Sequence, residues 1–431
     1  MPGHKGKPHL GCEAYDITEI SGADVLYSAD GIIAESENFA SRLFGTHHSF
    51  YSTQGSTLAI CAMLAIVSRR GMGEGKPLIL AARNVHASFV RAAALLDLDV
   101  RWLYSEEEAH LCACRITADS LRETLSEMER KPCAVYVTSP DYLGNMADIS
   151  ALSAVCREFD LPLLADNAHG AYLKFLPEDS HPITLGAAMC ADSAHKTLPV
   201  LTGGAYLHIS KDYPEFAEDA RWAMSLFAST SPSYLILSSL DLCNKHLAED
   251  YPERLESLCR EISRLKSRLS EAGISIRDSE PMKIVIDSKG SQMGSDSIAT
   301  ALRSKDIEPE FVDGEYVVLM PSADTDAEEL SRLLSALESV KKRDAAPTPT
   351  PTYLPTHHDA AMSIRDAVLL KSEYVDAEKS VGRICAAPTV SCPPAVPIVI
   401  SGERIKASDV PIFKFYGIEK IAVVKEKTEE M

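Results

Sequence analysis

The sequence predicts an α/β protein whose first half is a mainly parallel sheet covered by helices. Three observations carry this expectation. Short apolar runs recur between residues 78 and 209 and alternate with helix-like segments. A leucine-rich amphipathic pattern then opens a differently built region. A proline-dense stretch separates a C-terminal part.

Residues 57–70, TLAICAMLAIVSRR, are apolar nearly all round and stop at Gly71, which reads as a buried helix. Apolar runs follow at 78–82 (LILAA), 99–104 (DVRWLY), 134–138 (AVYVT), 162–166 (PLLAD), 190–194 (CADSA) and 204–209 (GAYLHI). Segments 118–130 and 149–158 are helix-like. Short continuous apolar strands alternating with helices build parallel sheets buried on both faces, with ligands at the carboxyl ends of the strands. Further on, Leu255, Leu258, Ile262, Leu265 and Leu269 mark a long amphipathic helix. A strand at 283–287, a helix at 295–304, a strand at 316–320 and a helix on Leu330, Leu333, Leu334 and Leu337 complete a small α+β domain. The expected boundaries are a large domain at 1–245, the small domain at 246–343, a semi-rigid proline-rich linker at 344–359 and a C-terminal domain at 360–431. The last should hold a helix over 363–375 and an extended segment, APTVSCPPAVPIVISGERI, over 387–405.

Over 431 residues the net charge is −19, which argues against nucleic acid or an anionic membrane surface as a partner. No stretch approaches the ~20 apolar residues of a membrane helix. Eleven scattered cysteines, an odd number, suit reduced thiols in the cytoplasm better than a disulfide framework. His110, Cys112 and Cys114 in HLCACR lack a second ligand pair at metal-site spacing, so no metal is expected.

Three polar groups sit at expected strand ends. Gly55, Ser56 and Thr57 open the buried helix, where free N–H groups favour a phosphate, although such residues also simply cap helices. Asp166 ends an apolar strand, with His169 three residues on; a buried carboxylate needs a partner, such as a protonated ring nitrogen or the N–H groups of the next turn. Lys196, after Ser193 and His195, is a candidate Schiff-base lysine. The proline and glycines that follow predict a loop there rather than a helix.

The order of phosphate turn, aspartate and lysine resembles pyridoxal-phosphate enzymes of the aspartate-aminotransferase fold, fold type I. PGHKGK, FGTHHSFYSTQGST, RNVHASF, DNAHGAYLKF, SAHKTLPVLTGGAYLH and STSPSYLILSSLD resemble successive blocks of the bacterial ornithine/lysine/arginine decarboxylases. RDAV, VGRI and CPPAVPIVISGERI resemble their C-terminal domain. The resemblance implies pyridoxal 5'-phosphate held on Lys196 through a Schiff base and paired through its ring nitrogen with Asp166. His86 would stack on the ring and Ala168 touch its other face. Gly55, Ser56, Thr57, Ser193 and His195 would surround the phosphate, and His169 joins the cofactor-binding set. Lys196, His86, Asp166 and His195 would be catalytic. The implied reaction is decarboxylation of lysine, ornithine or arginine to an amine of polyamine biosynthesis. The implied assembly is at least a homodimer, with 229–234 crossing its interface.

The chain departs from the commoner family pattern in DNAHGAY, where Glu and a closing His are more usual, in SAHK for STHK, and in SCPPAVP for YPPGIP. These changes bear on substrate identity more than on cofactor binding. The rival within the fold is an aminotransferase, but Met320 and Pro321 stand where such enzymes carry a carboxylate-binding Arg. A pyridoxal-dependent regulator would need a basic DNA-binding module, which the charge does not offer. Glu19, Asp30 and Glu37 are candidates to meet the substrate's cationic end. The opening MPGHKGKPHL is not a nucleotide P-loop, because Pro8 stands where Ser or Thr is required. In the family this block follows an N-terminal helix, so either this subgroup lacks one or Met1 is an internal methionine.

Overall fold

The structure is a computed structural model that describes residues 2–71, 75–105, 110–340, 357–387, 390–392 and 395–426. The expected linker therefore lies, up to residue 356, outside the described residues. The chain divides into two units, and both are discontinuous. The first comprises Met1–Ala81, Thr117–Pro140 and Ala147–Glu256; the second comprises Ala82–Ile116, Asp141–Met146 and Ser257–Met431.

In chain order the elements are α1 (Ile32–Phe44), β1 (His48–Ser52), α2 (Gly55–Arg70), β2 (Leu78–Ala82), α3 (Ala87–Leu96), β3 (Asp99–Leu103), α4 (Ala118–Ser126), β4 (Ala134–Thr138), α5 (Ile149–Glu158), β5 (Leu163–Asp166), β6 (Met189–Asp192), α6 (Ala194–Thr197) and β7 (Ala205–Ile209). They continue with α7 (Ala217–Ser225), α8 (Tyr234–Leu247), α9 (Tyr251–Glu271), β8 (Ile276–Arg277), β9 (Ile284–Asp287), α10 (Ser295–Arg303), β10 (Phe311–Val312), β11 (Tyr316–Leu319) and α11 (Ala327–Glu338). The last are α12 (Ile364–Leu369), β12 (Ser372–Asp376), β13 (Val390–Cys392), β14 (Val396–Val399), α13 (Asp409–Phe415) and β15 (Lys420–Val424).

In the first unit the sheet runs β1-β7-β6-β5-β4-β2. The β2–β4, β4–β5 and β5–β6 pairs are parallel, and β7 is antiparallel to both β6 and β1. Every residue of β5 and β6 is buried, which is why these strands read as unbroken apolar runs. Helix α2 packs on β6, β7 and α7 and is buried from Leu58 to Ser68. Full burial of side chains such as Leu58, Ile60, Met63 and Ile66 contributes about 1.5–3 kcal/mol each. Its last two residues leave the core: Arg69 and Arg70 lie over the rings of Trp222 and Phe216, at 4.6 and 4.5 Å. Helix α1 is capped from a distance, because the Asp24 carboxylate accepts the backbone N–H groups of Gly31 and Ile33, both at 2.9 Å.

In the second unit β10-β11-β9-β8 form an antiparallel sheet, and α11 starts with a capping box between Asp326 and Glu329. Leu333, Leu334 and Leu337 are buried as their spacing predicts. A further core gathers Leu111, Cys385, Ile398, Phe413, Ile421 and Val423. Buried Arg83 donates to the carbonyls of Pro397 and Ile398, each at 3.0 Å, and pairs with Glu403 at 3.3 Å.

Two expectations change. The helix expected over 363–375 ends at Leu369, and Ser372–Asp376 is instead a strand paired antiparallel with Lys420–Val424. The aromatic and β-branched Tyr374 and Val375 suit a pleated ladder that only the distant strand can complete. At Lys196 the expected loop is a single helical turn, closed by Lys196 N–H to Ser193 O at 3.0 Å and Leu198 N–H to Ala194 O at 2.8 Å. Pro199 blocks only its continuation, because the residue before a proline is driven to an extended conformation.

Candidate active site

The carboxyl ends of β4, β5 and β6 carry the polar residues that the apolar runs lead up to. On β5 Asp166 is 2% exposed, and its Oδ1 accepts the Ala168 N–H at 3.2 Å. Its Oδ2 accepts the hydroxyl of Tyr136, a fully buried β4 residue, at 3.2 Å. Burial pushes the Asp166 carboxyl up to about 6, against the pull of the Lys196 cation and these donors. The β4 hydroxyl of Thr138, opposite Asp166 in the parallel register, is buried without a hydrogen-bond partner among the described residues.

Lys196 stands on the turn after β6, and its Nζ lies 2.9 Å from Nε2 of His169. The same turn places Ser193, whose Oγ donates to the Ser56 Oγ at 2.8 Å. Ser56 and the exposed Thr57 belong to the first turn of α2, where backbone N–H groups have no intrahelical partner. Gly55 takes a positive φ of 68° and donates to Gly203 O at 2.7 Å, a conformation that glycine adopts at little cost. Nδ1 of His195 donates to Gly204 O at 3.0 Å. The sequence-selected residues thus meet in pairs within the first unit: Lys196 with His169, Ser193 with Ser56, Asp166 with Ala168. His86 belongs to the second unit, where it caps α3; its Nδ1 accepts the Ser88 N–H at 3.1 Å.

Glu37, a candidate for the substrate's cationic end, is fully buried and already committed. Its carboxylate meets Arg221 at 2.6 Å and His48 at 3.2 Å, and accepts the Tyr51 N–H at 3.0 Å. Glu19 and Asp30 are exposed. In HLCACR the Nδ1 of His110 accepts the Cys112 N–H at 3.2 Å and its Nε2 meets Asp313 at 2.8 Å, so the string is held by hydrogen bonds. A different trio, His181, Cys190 and Asp192, has metal-ligand composition. His181 Nδ1 accepts the Ile183 N–H at 3.3 Å, so the ring proton sits on Nε2 and points at Asp192. A ligand would need that nitrogen bare.

Sequence reasoning missed Tyr136, Asn167 and Asp192. Tyr136 had a signal, since a tyrosine inside an apolar strand needs a partner for its hydroxyl.

Residues 11–335 match the profile of the Orn/Lys/Arg decarboxylase major domain, and residues 341–422 match the C-terminal domain of the same enzymes. The chain belongs to the Orn/Lys/Arg decarboxylase family. Among curated members, an arginine decarboxylase of Bacillus subtilis is 28% identical over 96% of this chain and 89% of its own length. One from Halalkalibacterium halodurans is 29% identical over 95% and 88%. The Francisella novicida lysine decarboxylase superposes with a TM-score of 0.81 at 18% identity, covering 98% of this chain and 78% of that one. An SPT structure with PLP shares the fold over 71% of this chain and 75% of that one, at a TM-score of 0.56 and 15% identity. As a family member the chain is an amino-acid decarboxylase with a fold type I large domain. Among the described residues, no helix is long and apolar enough to cross a membrane.

Proposed function

We infer that the chain decarboxylates a basic amino acid, lysine, ornithine or arginine, using pyridoxal 5'-phosphate held on Lys196. The observation that carries this reading is the buried Asp166 at the end of β5, in the unit where Lys196 stands beside His169. A carboxyl pushed up to about 6 by burial seeks a cationic partner, and a pyridinium nitrogen is one. The Thr138 hydroxyl on the adjoining strand, without a partner among the described residues, fits a polar group arriving on the same face.

Bound there, the cofactor supplies an electron sink for the pair left behind as carbon dioxide departs. The chain's own residues do the rest. Asp166 holds the proton on the pyridine nitrogen, and Tyr136 fixes the carboxylate that does so. Ser56, Thr57, Ser193 and His195, with the α2 N-terminus and the Gly55 turn, hold the phosphate. Ala168 takes one face of the ring. His169 Nε2 accepts a proton from Lys196 Nζ, freeing the amine as a nucleophile, and the pair returns a proton to the substrate's Cα.

The named relatives act on arginine or lysine, which supports a basic substrate and an amine product of the polyamine class. The free thiols among the described cysteines support a reducing, cytoplasmic setting. Exposed Tyr15, Ile32 and Leu242 in the first unit support a homodimer. Purified protein loaded with pyridoxal 5'-phosphate is tested against lysine, arginine and ornithine for carbon dioxide and amine. Amine release from one of them, lost with Lys196→Ala together with the visible cofactor band, is the expected result. Keto-acid formation without carbon dioxide would refute decarboxylation.

A further inference from the structure

Asp192 ends β6 on the face of the sheet opposite Asp166. Asp166 and Ala191 are register partners, so the next side chain along β6 points the other way. Asp192 is fully buried, and the proposed chemistry does not touch it. Its Oδ2 accepts the His181 Nε2–H at 2.9 Å, and its Oδ1 accepts the Asn167 amide N–H at 2.7 Å and the Cys190 thiol at 3.2 Å. His208 on β7 stands 3.3 Å away through Nε2 and is anchored at Nδ1 by Ser49 at 2.8 Å. Tyr206 is its register partner on β7. Burial opposes ionisation of Asp192, but the two imidazoles outweigh it and hold the carboxyl below its usual range.

Asn167 joins this cluster to the site. Its N–H extends the β5–β6 ladder to Ala191 O at 3.0 Å, and its carbonyl accepts the Gly170 N–H at 2.8 Å. It is therefore the pivot of the turn that carries Asp166 before it and His169 after it. A Cβ at Gly170 would clash with Asn167 Oδ1, so the turn closes directly onto this amide. Asn167 is also a position where the chain leaves the family pattern; a Glu there would set two carboxylates against each other.

We propose that Asp192 is a positioning residue for the reaction: through Asn167 it pins the 166–170 turn from the far side of the sheet and so aims Asp166 at its partner. The claim rests on the reading that Lys196 and Asp166 hold pyridoxal 5'-phosphate. The groups that act on Asp166 itself are Lys196, Tyr136 and the Ala168 N–H, with the Asp192 carboxylate repelling it from the other face of the sheet. Freed from the pin, Asp166 holds the pyridine proton less tightly. Losing the negative charge of Asp192 acts in the same direction.

The test loads wild type, Asp192→Asn and Asn167→Ala with cofactor carrying nitrogen-15 in the pyridine ring, and follows its resonance and the visible band with pH. Wild type should keep the nitrogen protonated and show a band that Lys196→Ala abolishes. Asp192→Asn should keep the band, yet lose the pyridine proton at a midpoint about one pH unit lower, a tenfold weaker hold. Its kcat should fall about tenfold with KM within about threefold, because uniform binding is untouched. An Asp192→Asn nitrogen that titrates as in wild type overturns the proposal. Should that variant fail to fold, Asn167→Ala cuts the link and leaves the Asp192–His181 pair; a wild-type titration there overturns it equally. A wild type without a Lys196-dependent band removes the cofactor reading, and this proposal with it.

Discussion

Nζ of Lys196 lies 2.9 Å from Nε2 of His169, close enough for one proton to be passed between amine and imidazole. Replacing His169 by Gln keeps a polar side chain but removes the proton acceptor. The expected result is intact covalent cofactor loading with kcat reduced on the order of 10²-fold. Absorbance of the loaded protein and a kcat measurement check the two halves separately; an unchanged kcat would assign the proton to another group.

Asp166 carries a stability cost that depends on pH. Its carboxyl is raised from 3.8 to about 6 on folding, so the folded protein binds this proton more tightly than the unfolded chain. The cost is absent below the unfolded value, grows as pH rises between the two, and is complete above the folded one. Asp166→Asn should therefore stabilise the cofactor-free protein at pH 7.5, by on the order of 1–3 kcal/mol, and change little at pH 3.5. Calorimetry of both proteins at both pH values reads the difference directly. The same variant should bind the cofactor more weakly.

Gly170 is required for space rather than for backbone freedom. A Cβ there would lie 2.7 Å from both Leu173 Cδ1 and Pro140 Cδ, besides the Asn167 contact. Gly170→Ala should cost about 1–3 kcal/mol through overpacking. Gly3→Ala, where a Cβ meets nothing within 4 Å, should leave the melting temperature unchanged.

Asp24 holds the first turn of α1 through bonds to Gly31 and Ile33. Asp24→Ala should cost about 1–2 kcal/mol and raise amide exchange selectively at the start of α1. Uniform exchange across the first unit would show that the carboxylate does not act as a cap.

The parts of the fold legible in the sequence are those whose apolar residues follow a regular pattern. Strands β2 and β4 begin and end where the residue pattern places them because their apolar runs are unbroken, and helix α5 does so because its buried Ile149, Leu152, Val155 and Cys156 recur at helical spacing behind the Asp148 cap. Strand β1, HSFYS, carries no such run. It is identifiable only through its antiparallel ladder with β7, in which Phe50 pairs with Leu207. The site divides in the same way. Asp166 and Lys196 stand out because a charge ends an apolar strand or follows one. Asn167 and His181 carry no local signal, since their hydrogen bonds form only when β5, β6 and the loop after β5 are side by side. Asp192 ends β6 as Asp166 ends β5, but the strand expected over 190–194 runs past it.

Arg83 finds its carbonyl and carboxylate partners 314 to 320 residues further along the chain. The C-terminal segment is thus no detachable accessory. Cutting the chain after α11 would strip a buried guanidinium of Pro397, Ile398 and Glu403 at once, a loss that neighbouring apolar groups have no means to repair. During synthesis, the Arg83 guanidinium must wait for residues 397–403 before its partners exist. Completion of the second unit is for that reason a late event, and Arg83 and the 397–403 segment depend on one another across more than 300 residues of chain.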